Sequence, residues 1–356
     1  MSGLTLQSPS KMEALSPHWQ AGTIGHVISM AWAPNGQVLA AAAADGPITI
    51  LSRQGEIIAS LPGHRFGTSA IAWSREGSHL ASGGQDGKII IWNPTTWKAE
   101  LTLEAGSDWA EHLAWNPLGG TNGIPHILAT AAGRKLRLWG IDGKLIRELE
   151  DHKTTIASLA WKPASQLLST VSYSRLAIYG TKTSKAERQF EWKGSILKIA
   201  WSPNGKYIAT GDQDATVHFW FEKTGRDLQM SGYPTKVREL SWDSTSRYLA
   251  TGGGTDITVW DCLKSPEGTR PIVLRGHEMF VSALAYQHRG PLLASAGLDG
   301  RVIVWHPHNN KKPLCGIALN SPVSQLCWSP DEALIAAGAD SGGIAVFNSP
   351  QNRERK

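Results

Sequence analysis

Apolar and polar positions alternate in short bursts along this chain, and the bursts recur. A short run ends in an aromatic at Trp32, Trp73, Trp115, Trp161, Trp201, Trp242, Tyr286 and Trp328, at intervals of 41, 42, 46, 40, 41, 44 and 42 residues. Between those aromatics lie further runs of Ile, Val, Leu and Ala, each bounded by Gly, Pro, Asn, Asp or Ser. Runs this short are too brief for stable helices and suit strands. Within the second copy they fall at Ser69–Trp73, His79–Ser82, Lys88–Trp92 and Ala99–Leu103, an antiparallel four-strand meander. One such sheet cannot bury both faces, so neighbouring copies must stack, and radial stacking leaves only short edges exposed.

Two copies carry a matching polar set. His64, Ser82, Asp86 and Trp92 recur as His277, Ser295, Asp299 and Trp305 at identical offsets, each His preceded by Gly63 or Gly276. A buried indole N–H and imidazole need partners, and a chain from Trp through Ser and His to Asp supplies them. These two sets and the period resemble the WD40 family. The resemblance implies an all-β propeller in which these His and Asp residues are structural. The other copies depart from the pattern. Trp192 and Tyr233 stand at the His position of copies five and six, and are expected to pack under their loops. Copy three has Gly106 there, and copy four keeps His152 and Thr170 but ends in Tyr179. Copy five keeps Thr210, Asp214 and Trp220. Counted back from Trp32, Gly25-His26 is out of register, which moves His26 to the exposed ring.

Eight first strands but only seven following fourth strands can be read, and the chain ends in polar Asn348–Lys356. The missing strand is expected from around Leu15–Gln20, closing the ring with both ends of the chain. Glu13 to Asn348 is 336 residues, eight times 42. The expectation is therefore eight blades, with seven as the alternative. Residues 1–12 form an N-terminal tail expected to be flexible, 13–348 one propeller domain, and 349–356 a polar C-terminal tail.

Composition changes this picture little. Net charge is +5 at 18% charged residues, and no block of five like charges occurs. No apolar stretch is long enough to span a bilayer, and the polar start, without an apolar run, is expected to carry no secretory signal. Cys262, Cys315 and Cys327 are odd in number and read as buried thiols in a reducing compartment, hence the cytoplasm. There is no phosphate-binding glycine loop, no Cys-x-x-Cys, no nucleophile elbow and no His-Glu-x-x-His. No catalytic residue, cofactor or metal site is assigned. His306 and His308, with Cys315 downstream, are the best metal candidate, but two ligands in a loop are weak evidence.

In WD40 proteins partners commonly dock on the face made by loops before the first strand and between the second and third. In register, that face here carries Trp109, Phe66, Phe280, Arg65, Met279, His26, Lys236, Tyr173 and Arg134. Exposed aromatics beside Arg and Met are the usual composition of an interface hot spot. The reading is a non-catalytic scaffold, monomeric within a larger complex, that binds a protein or peptide on this face. The alternatives are an enzyme or metal handler using the channel mouth or His306/His308, and association with nucleic acid or an anionic surface through the basic excess. No nucleic-acid motif supports the last.

Overall fold

A computed structural model describes residues 4–7, 12–23, 25–150, 152–263 and 265–350. Its elements are strands throughout, joined by turns. The first strands of successive copies include Val27–Trp32, Thr68–Trp73, Ala110–Trp115, Ser158–Trp161, Leu240–Trp242, Val281–Tyr286 and Val323–Trp328. The fifth is the end of the long strand Arg188–Trp201. Each first strand lies against the next, and Val323–Trp328 returns to Val27–Trp32, so the eight form a closed ring.

Among the described residues these copies make seven hydrogen-bonded sheets rather than eight separate ones. The reason is local. Arg188–Trp201 runs 14 residues without a turn, pairing as last strand of copy four with Leu168–Tyr179 and as first strand of copy five with Tyr207–Asp212. Copies four and five thereby fuse into one six-stranded sheet.

Closure uses both ends of the chain. Pro17–Gly22 pairs antiparallel with Gly343–Asn348, two residues further along than the expected Leu15–Gln20. Leu15 itself is buried in the core of the last two copies. Within the expected N-terminal tail, Leu6–Gln7 pairs with Leu319 and Ala318, and Glu13–Ala14 beyond it runs parallel to the same strand from Cys315. Residues 1–3 and 8–11 of that tail, and 351–356 of the C-terminal one, lie outside the described residues.

The aromatic period has a physical cause. Trp73, Trp115, Trp161, Trp242 and Trp328 each donate an indole hydrogen bond to a main-chain oxygen on the first strand of the preceding copy. The acceptors are Ala31, Ala72, Ala114, Ala200 and Ala285, at 2.8–3.3 Å. The acceptor is always the residue before the preceding aromatic, so each indole measures the step to its neighbour. Trp201 departs, donating to Ser169 Oγ at 3.2 Å. Apolar side chains fill the wedges between sheets, as where Ile89 and Ile91 meet Leu113, Trp115 and Leu128. Each fully buried Ile or Leu contributes about 1.5–3 kcal/mol.

Candidate functional site: the loop face and the polar sets beneath it

The two complete polar sets form as read from the sequence. Trp92 donates to Ser82 Oγ at 2.8 Å, and His64 bridges Ser82 at 2.8 Å and Asp86 at 3.0 Å. Trp305, Ser295, His277 and Asp299 repeat this at 2.8, 2.8 and 3.1 Å. Each Asp also reaches the loop above. Asp86 accepts the Arg65 N–H at 3.2 Å, and Asp299 accepts the Glu278 N–H at 2.7 Å. The buried sets therefore anchor the loops that carry Phe66 and Met279-Phe280. His64 needs a bare backbone beneath it: a Cβ on Gly84 would stand 2.2 Å from its Cγ.

Where the set is incomplete, other side chains rebuild it. In copy six Tyr233 takes the place of His. Its hydroxyl accepts from Trp260 Nε1 at 2.9 Å and bonds Thr251 Oγ1 at 2.8 Å. In copy four Tyr179 replaces Trp, and its hydroxyl meets His152 Nε2 at 3.2 Å. Copy five is changed most. Trp220 still donates to Thr210 at 3.2 Å, but the place of Gly84 holds Asp212. Asp214, read as the set's Asp, instead accepts from Thr216 Oγ1 at 2.8 Å, because no His reaches it. The imidazole comes from the third strand: His218 pairs with Thr210 as Ile90 pairs with Ser82 in copy two. It bonds Asp227 at 2.9 Å, and Trp192 packs on its ring at a centroid distance of 3.8 Å. Burial pushes the Asp212 carboxyl up to about 7, with Asp214 adding to the shift, and lowers His218.

Above these sets the expected residues stand out of the surface. Phe66 is 68% exposed, Tyr173 59%, Trp109 53%, and Met279 and Phe280 52% each. None folds down to cap its sheet. Phe66 adopts φ 70°, a left-handed conformation costly for an aromatic residue, and the Arg65 guanidinium lies 4.8 Å over its ring. Trp109 and Arg134 meet in one cleft of about 520 Å³, with Asp108, Glu111 and Thr155 on its walls. Burial raises the Glu111 carboxyl. Lys236 is exposed; His26 is half-buried and pairs with Asp340 at 3.1 Å. In the ring of eight first strands, copy three with Trp109 lies opposite copy seven with Phe280.

The innermost strands carry a titratable group that sequence reasoning missed. His112, Lys198 and Glu239 each stand three residues before an aromatic, the signal that could have found them. Burial, then Lys198, pushes His112 down to about 4. Burial lowers Lys198 and raises Glu239, each opposed by the other's charge.

The metal candidate does not assemble. The His306 and His308 rings are 6.0 Å apart and nearly perpendicular, and His308 packs on Tyr248 at 3.8 Å. His306 and Cys315 do line one 550 Å³ cavity with Glu13, Asn310 and Asn348. Among the described residues, no three His, Cys, Asp or Glu side chains converge on a common point. No helix among them is long and apolar enough to cross a membrane.

Known proteins of similar sequence agree with this architecture. The chain is 26% identical over 287 residues to Telomerase protein component 1 of Rattus norvegicus, covering 78% of this chain and 10% of that protein. It is 26% identical over 282 residues to the Anaphase-promoting complex subunit cdh1 of Dictyostelium discoideum, covering 67% of this chain and 36% of that one. The chain thus spans only a tenth to about a third of these relatives. A computationally designed protein, Ika8, superposes with a TM-score of 0.79 at 20% identity, over 95% of this chain and 99% of its own. The model of the WD domain, G-beta repeat, matches seven segments, at 19–46, 55–93, 143–178, 186–220, 227–261, 268–306 and 314–348. The unmatched stretch 94–142 holds the first three strands of copy three, where Gly106 replaces the His and the turn at Gly133-Arg134 is short. With more than half of its length matched, the chain belongs to the WD40 repeat family.

Proposed function

We propose that this propeller is a non-catalytic scaffold that holds a partner protein on the loop face. The observation that carries the reading is the exposure of Phe66, Trp109, Tyr173, Met279 and Phe280 on that one face. Large aromatics in loop tips do nothing for the sheets beneath, whereas rigid aromatic anchors dominate binding energy at interfaces. Two of them, Trp109 and Phe280, lie across the channel from one another, so the partner spans the ring. One relative is itself named as a subunit of a complex. The three cysteines are unpaired, which fits the cytoplasmic placement.

The test is a Trp109→Ala/Phe280→Ala double variant, used as bait in lysate from the native source beside the unchanged protein. Proteins captured by the unchanged chain are expected to fall about tenfold or more in recovery, the consequence of losing two anchors of roughly 1–2 kcal/mol each. Equal recovery by a double variant that melts normally would overturn the assignment of the face.

A further inference from the structure

The cavity that fails as a metal centre opens on the opposite end of the sheets from the loop face. It forms where copies seven and eight meet the N-terminal segment. Glu13–Ala14 and the two residues after it make one wall. Leu292, at the end of the turn between first and second strands of copy seven, makes another. The rest comes from the connection 306–314 between third and fourth strands of that copy, and from Asn348 and Pro350 of copy eight. The space is about 550 Å³, within the range of small-molecule sites. Its N-terminal wall is fixed in place. Glu13–Ala14 pairs with Cys315 and Gly316, and the Leu15 N–H reaches Gly316 O at 3.0 Å. Gly316 is bare for this purpose: a Cβ there would stand 2.5 Å from Met12 Sδ.

The lining combines an apolar part with carboxamides. Leu15 and Leu292 are buried, and burial pushes the Cys315 thiol up to about 11, so it is uncharged at neutral pH. Three asparagines supply most of the polar lining. Asn309 donates to His306 Nε2 at 3.3 Å, Asn348 donates to Pro17 O at 3.4 Å, and Asn310 Oδ1 accepts the Lys312 N–H at 3.0 Å. Those bonds leave the side-chain carbonyls of Asn309 and Asn348 and the NH₂ of Asn310 without a protein partner among the described residues. No Lys or Arg lines the cavity, and its one carboxylate belongs to Glu13.

We infer that this cavity binds a small uncharged ligand that presents a carboxamide, or an equivalent edge of N–H and C=O groups, on an apolar body. The ligand's N–H groups donate to Asn309 and Asn348, its carbonyl accepts from Asn310, and its body covers Leu15 and Leu292. The competing chemistries each leave a group unsatisfied. A carboxylate or phosphate would leave water beside Glu13 with no cation to pair it. An ammonium would meet the Asn310 NH₂ donor to donor. A purely apolar ligand would strip water from three carboxamides and return no hydrogen bond. The site stands apart from Trp109 and Phe280, and it does not depend on what the loop face holds.

The experiment titrates the full chain with four ring-matched probes, benzamide, benzoate, benzylammonium and toluene, and reads binding by saturation-transfer NMR. Benzamide is expected to bind with a dissociation constant of about 1 mM, the scale for so small a ligand, and the other three at least about tenfold more weakly. Two variants place the probe. Asn309→Ala/Asn348→Ala removes both carbonyl acceptors and is expected to weaken benzamide about tenfold. Ala14→Trp fills the cavity from its N-terminal wall and is expected to abolish the signal. Thermal unfolding of both variants alongside the unchanged protein verifies that they fold. No response to benzamide at about ten times the expected constant would overturn the proposal. So would toluene binding as tightly as benzamide, which would make the cavity a mere apolar hollow, or tighter binding of either charged probe. Benzamide binding that both folded variants leave unchanged would also overturn it, because the probe would then sit elsewhere.

Discussion

Asp212 Oδ2 and His218 Nε2 face each other at 3.8 Å in copy five, both side chains sealed from solvent. The pair has the spacing of a salt bridge, but burial pushes each group towards its neutral form. At neutral pH a proton therefore sits on Asp212 in a large share of molecules, and His218 uses its other nitrogen to bond Asp227. Asp214 is the further charge that acts on both, and Trp192 closes the remaining side.

The stability consequence has a definite sign. Asp212 loses its proton near 3.8 when unfolded and near 7 when folded. Between those values the folded state holds the extra proton, so this group makes stability fall as pH rises from about 4 to about 7. Asp212→Asn removes that dependence. It is expected to stabilise the protein at pH 8 by about 2–4 kcal/mol, a gain that shrinks to nothing below about pH 4. Urea unfolding across that pH range checks it. An Asn variant whose advantage is independent of pH would refute the titration and leave only a packing effect.

Tyr233 offers a test of the rebuilt polar sets. Its hydroxyl accepts from Trp260 Nε1 and also holds Thr251. Burial pushes it up to about 12, so it stays protonated through the working range. Tyr233→Phe keeps the ring and strands the indole donor, which is expected to cost about 1–3 kcal/mol. A double-mutant cycle with Trp260→Phe should return a coupling of about 0.5–3 kcal/mol. Additive losses would mean that the two side chains do not act as a unit.

Much of this was legible because spacing encodes it. The aromatic interval reports the step from one first strand to the next, and the offset from His64 to Asp86 to Trp92 reports one polar set. Copy five was not legible. Recognising that Asp212 fills the space of Gly84 requires knowing that the His above has gone. Recognising His218 as its substitute requires the register between second and third strands. The fusion of copies four and five was hidden for a similar reason: Trp192-Lys193-Gly194 reads as a loop, yet the backbone passes straight through it as one strand.

Phe66 ties the fold to the proposed function, because its backbone and its ring make opposite demands. At φ 70° an L-residue bears a steric cost of about 1–2 kcal/mol that glycine escapes. Asp86 fixes that loop by accepting the Arg65 N–H, and the ring is held out to solvent. Phe66→Ala and Phe66→Gly lose the same ring but differ in backbone cost. The Gly variant is expected to be the more stable of the two by about 0.5–1 kcal/mol, after its greater unfolded-state entropy is allowed for. Both should lose partner recovery to the same extent. Thermal unfolding of the two proteins, with capture measured in parallel, checks both halves. A Gly variant less stable than the Ala variant would show that the left-handed backbone carries no strain. Undiminished capture by both would remove Phe66 from the interface, leaving Trp109 and Phe280 as the anchors.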